Sequence, residues 1–113
     1  MIVKVVYNYS YGGFELSRQA VEWMAKRGHP AAIEYLKDYP ERIDRGWLWP
    51  DPDKLPRHDP LLVEVVEELG EDAGSTLVVA EIGGNKYYIT EHDGLEDLHT
   101  PEMDAWVVVE ENT

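Results

Sequence analysis

Val5-Val6-Tyr7-Asn8-Tyr9-Ser10-Tyr11-Gly12-Gly13-Phe14-Glu15-Leu16-Ser17 decides how this chain begins to fold. Residues 2–9 are β-branched and aromatic and predict a strand covered on both faces. The Gly pair then turns the chain and delivers Ser17 as the cap of a helix. Leu16 and Val21 stand at the spacing of a hydrophobic staple around that cap. Glycines at such a junction let another group approach the backbone, and the helix start offers unsatisfied N–H groups to an anion. Asn8, Ser10, Gly12, Gly13, Ser17 and Arg18 are therefore candidate ligand-binding residues. The Gly pair fits neither a P-loop nor a dinucleotide fingerprint.

Downstream, the helix from Arg18 ends near Gly28, and Pro30 opens a second that turns Ile33 and Leu36 inward. His29 reads as an exposed residue of the turn between them. Residues 38–57 hold Pro40, Pro50, Pro52 and Pro56 with Trp47 and Trp49 among them, a composition that excludes a long helix. Loops of this length in small domains commonly carry function, and the two tryptophans either form a docking surface or plug the core. Asp59-Pro60 then caps a third helix, with Leu62, Val65, Val66 and Leu69 on one face and Gly70 at its end. Strand-like runs follow at 76–82, 87–90 and 106–109. Gly83-Gly84-Asn85 is expected to join the first two as a hairpin, and Asp93-Gly94 to turn the chain again. The order β-α-α-loop-α-β-β-β predicts one α+β domain over residues 1–113, a mostly antiparallel sheet with helices on one face.

Ten Lys and Arg against twenty-three Asp and Glu give a net charge of −13. That field repels phosphate backbones and argues against general nucleic-acid binding, while leaving a basic partner open. With no cysteine, disulfides and thiolate sites are excluded. Met1-Ile2-Val3-Lys4-Val5 reads as a strand rather than a leader, and no apolar run reaches membrane length, so a cytoplasmic location away from membranes is expected.

Arg57-His58-Asp59 stands at the start of the third helix. Arg57 is a candidate cation for an anionic ligand, and Asp59 is either its cap or half of an acid/base pair with His58. His92, Asp93 and His99 match no established metal spacing, and no metal or cofactor is expected. No nucleophile elbow or zinc-protease motif is present, so no catalytic residue is assigned.

These elements together resemble a widespread family of small uncharacterised proteins from tailed bacteriophages. The shared pattern is a Val-Val-Ile/Tyr-Asn strand, a Cys-Phe/Tyr-Gly-Gly-Phe turn, a Leu-Ser helix start and a long Arg-x-Asp-Pro-x-Leu-Val-x-Val-Val-Glu-Glu-Leu-Gly block. A Glu-Ile strand and a Glu-Tyr-Asp-Gly hairpin close it. Here these fall at Val5 to Asn8, Tyr11 to Phe14, Leu16-Ser17, Arg57 to Gly70, Glu81-Ile82 and Tyr88 to Gly94. Ser10 stands where the pattern has Cys and His92 where it has Tyr; residues 38–56 have no counterpart. The resemblance implies a phage origin, action in the cytoplasm of an infected host, and a shared role for Asn8, Gly12, Gly13, Ser17, Arg57 and Asp59. It implies no chemistry. The leading expectation is a non-enzymatic binder, alone or as a homo-oligomer, that sequesters a small anionic ligand such as a nucleotide or host defence signal. The alternative is an acidic host-modulating protein that binds a host protein through its surface and the Trp47-Trp49 loop. A small hydrolase using His58 with Asp59 or Ser10 is the third reading.

Overall fold

The computed structural model describes residues 2–40, 46–48 and 50–101. Strand β1 (Ile2–Asn8) pairs antiparallel with β4 (Leu77–Gly83), Val6 opposite Val79. Val5 and Val6 point to opposite faces of this pair and both are fully buried, as a strand without polar alternation requires. Past the Gly-Gly turn, a two-residue strand β2 (Glu15–Leu16) pairs with β3 (Trp47–Leu48). The long Pro-rich segment is thereby stitched to the start of the first helix. It also contributes Leu55, fully buried, to the core.

Three helices follow their caps. In α1 (Arg18–Lys26), Ser17 Oγ accepts from Ala20 N at 3.1 Å, and Ala20, Val21 and Met24 are buried. In α2 (Pro30–Asp38), the cap is His29. In α3 (Pro60–Leu69), Asp59 Oδ1 accepts from Leu61 N and Leu62 N at 3.0 and 3.1 Å. Helix α3 lies on β1 and β4, α1 packs on α3, and α2 packs on α1. With its antiparallel strand pairs the protein is an α+β fold.

The last two strands depart from expectation. Strands β5 (Tyr88–His92) and β6 (Leu95–His99) form their own antiparallel hairpin, so Gly83-Gly84-Asn85 is a connection between sheets and not a hairpin turn. The turn chemistry explains the choice. Asp93 and Gly94 both have positive φ, 52° and 90°, as a tight two-residue hairpin requires. The expected strand at 106–109 lies outside the described residues, as does Trp49. Ile33 is 37% exposed, not inward, whereas Leu36 packs partly buried against the core beside the buried Ala31 and Ala32.

Candidate functional site

The Gly-Gly turn and the start of α3 meet at a buried polar cluster. Strand β1 has one edge on β4; the other presents Val6 N and Asn8 N. Val6 N donates to Arg57 O at 2.8 Å, and Asn8 N donates to Glu96 Oε1 at 2.8 Å. Glu96, on β6, is 2% exposed, and it takes both terminal nitrogens of Arg57 at 2.5 and 2.8 Å. The same guanidinium lies 4.0 Å above the ring of Phe14, itself fully buried. Such a bidentate, stacked arginine satisfies planar geometry that a lysine could not.

Asn8 is equally committed. Its Nδ2 donates to Ser10 O and to Gly94 O, both at 2.7 Å, and its Oδ1 accepts from the Thr76 hydroxyl. Gly12 N donates to Asp93 O at 3.2 Å, which ties the Gly-Gly turn to the tip of the β5–β6 hairpin. Asn8, Ser10, Gly12, Gly13 and Arg57 thus converge, with Glu96 and Gly94, on one clamp. Its charges cancel internally: the guanidinium faces a carboxylate, and every polar atom of the Asn8 side chain is bonded within the protein.

The other candidates are placed elsewhere. Ser17 Oγ caps α1 and donates to Asp72 O at 2.5 Å. Arg18 reaches Glu22 at 3.2 Å, Tyr39 O at 2.8 Å and Pro40 O at 3.2 Å. Asp59 does not pair with its neighbour His58. His58 Nδ1 meets the Tyr87 hydroxyl at 2.7 Å, while Asp59 Oδ2 meets His29 Nε2 at 3.0 Å. The Tyr87 phenol is held above its ordinary value of 10.0 by burial, against a lowering pull from Arg57.

His29 is therefore 6% exposed, not a surface turn residue. Its Nδ1 accepts from Ala31 N at 3.2 Å, which leaves the proton on Nε2 to donate to Asp59. One carboxylate so caps α3 and anchors the cap of α2. Asp59→Ala is expected to destabilise by about 2–4 kcal/mol, a lost cap plus a buried donor left unpaired. Chemical denaturation checks this; a cost at or below about 1 kcal/mol, the typical cap alone, would show that the His29 contact contributes nothing.

A second feature lies between α2 and β3. Tyr35 stacks on Trp47 with ring centroids 4.9 Å apart and planes 20° from parallel, and Tyr39 lies 5.0 Å from Tyr35. These rings line an open groove of about 430 Å³ with Glu34, Asp38, Asp51 and Lys54 at its walls. Burial pushes the Tyr35 phenol above 10.0, against a lowering pull from Arg18. Trp47 packs partly buried against the core, one of the two roles open to it in sequence, and its remaining surface lines the groove.

Sequence reasoning missed Glu96, because Leu-Glu-Asp-Leu-His carries little strand signal. It also missed Tyr35, although the i, i+4 pair Tyr35 and Tyr39 on a helix was a usable sign of a shared aromatic face. Among the described residues no group of His, Asp and Glu is arranged to hold a metal, and no helix is long and apolar enough to cross a membrane. Compared with family models, curated proteins and solved structures, the chain matches none.

Proposed function

We propose that this is a non-enzymatic bacteriophage protein that acts in the host cytoplasm by binding a basic surface of a host protein. The observation that carries the reading is the neutralisation of Arg57 by the buried Glu96. An anion binder of net charge −13 needs a concentrated local positive site. The arginine best placed to supply one is spent on a carboxylate, and Arg18 is spent on Glu22 and two carbonyls. The acidic excess remains outside, where it steers a basic partner to the surface.

Two measurements on the purified protein test this together. Melting with a nucleotide panel is expected to give no stabilisation, whereas a true ligand at a hundred times its Kd adds about 2.7 kcal/mol. Affinity capture from host extract at physiological salt is expected to retain a discrete basic protein, released as salt shortens the screening length below about 8 Å. A nucleotide that stabilises, or a partner that is anionic, would return the reading to anion capture.

A further inference from the structure

We propose that the Tyr35–Trp47 groove receives an arginine side chain of the basic partner, an inference that rests on the reading above and names its point of contact. The groove's walls carry three carboxylates, Glu34, Asp38 and Asp51, against a single ammonium among the described residues, Lys54. That ammonium is held by Glu34 at 2.9 Å, so two formal negative charges are left over. Asp38 is the last residue of α2, where the negative end of the helix dipole adds to its own charge. Arg18, which acts on Tyr35 and donates to Tyr39 O, is countered by Glu22 at 3.2 Å, so the balance of the described charges around the groove still favours a cation.

The rings decide which cation. A planar guanidinium stacks on an aromatic face and still offers a fork of donors to a carboxylate; an ammonium is a compact point charge that holds its water. The protein already uses this chemistry twice within itself. Arg57 lies 4.0 Å over Phe14 with Glu96 as its partner, and Arg27 lies 3.4 Å over Trp23. The groove offers the rings and the carboxylates of the same arrangement. Its volume, about 430 Å³, suits one long side chain with its flanking backbone, within the usual range for a ligand cleft.

The test titrates the full chain, at physiological salt, with a short labelled peptide carrying one arginine between neutral residues. Parallel titrations use the same peptide with lysine or with citrulline, which keeps the planar shape without the charge. The arginine peptide is expected to bind at least about tenfold more tightly than the citrulline peptide, and several-fold more tightly than lysine. Asp38→Asn, an isosteric change at an exposed helix end, is expected to weaken arginine binding about fivefold or more, and Trp47→Ala about tenfold. Glu64→Gln, on the exposed face of α3, serves as the control and is expected to change binding less than about twofold.

Equal binding of arginine and citrulline peptides would overturn the inference. So would equal effects of Asp38→Asn and Glu64→Gln, because attraction would then be diffuse. If the peptide fails to bind while a basic host protein still does, the groove assignment falls and the basic-partner reading stands; if neither binds, both fall.

Discussion

Glu96→Ala is expected to destabilise the protein by about 3–5 kcal/mol, the usual cost of removing one partner of a buried ion pair. Two groups lose their acceptor at once. Arg57, whose side chain is 12% exposed, would keep its charge over Phe14 with no carboxylate facing it. Asn8 N, on the strand edge away from β4, would lose the oxygen that completes its bonding. A loss of this size is a large fraction of the stability of a small domain, so cooperative unfolding should shift to much lower denaturant. Glu96→Gln keeps the shape and one acceptor oxygen but no charge; about 1.5–3 kcal/mol is expected, the scale of a hydrogen bond to a charged group. Arg57→Ala should resemble Glu96→Ala, since it strands a buried carboxylate in the same place. Unchanged denaturation midpoints for all three would mean that the cluster is an accessory of the fold and that the clamp is no clamp.

The contrast between local and distant information runs through the molecule. Ser17, Asp59-Pro60 and Gly70 act within a few residues of themselves, and the helix boundaries they dictate are visible in the sequence. Strand β1 is visible too, because a run of β-branched residues specifies its own conformation. Glu96 is different. Its partners lie 88 and 39 residues away, and nothing in Leu95-Glu96-Asp97-Leu98 marks the glutamate as buried. Arg57 accordingly reads as a surface cation awaiting a ligand, when its ligand is inside the protein. The chain's hairpin preference was equally hidden: Gly83-Gly84-Asn85 and Asp93-Gly94 both read as good turns; the second forms the hairpin, with Asp93 and Gly94 at positive φ, and the Glu96 contacts to Asn8 and Arg57 hold β6 beside β1. His29 was misplaced for another reason. Histidine is not among the preferred helix caps, and its role here depends on Asp59, thirty residues on. For the groove, Tyr35 and Tyr39 are spaced as a pair in sequence, but Trp47 joins them only after the Pro-rich segment returns to pair with β2.

Gly94→Ala is the sharpest test of how tightly the hairpin tip is pressed against the Gly-Gly turn. Gly94 has φ +90°, a conformation that side chains resist, and an added Cβ would lie 2.2 Å from Gly13 N and 2.6 Å from Gly12 N. These are backbone atoms in a turn whose own glycines sit at φ 107° and 93°, so neither side can yield cheaply. The strain of an unfavourable φ and the cost of overpacking add to about 3–5 kcal/mol. Gly84 separates the two contributions. It has nearly the same φ, +84°, but open space around its missing side chain, so Gly84→Ala should cost only the conformational part, about 1–2 kcal/mol. Denaturation of both variants measures the difference, and hydrogen exchange at Gly12 N, which bonds Asp93 O, reports whether the tip has parted from the turn. If the two substitutions cost the same, the hairpin gives way freely, and Asn8 must hold the turn without it. If Gly94→Ala costs more and exposes Gly12 N to exchange, the Gly-Gly pair at the end of β1 is there to admit a second piece of the chain's own backbone, the role that sequence alone reserved for a ligand.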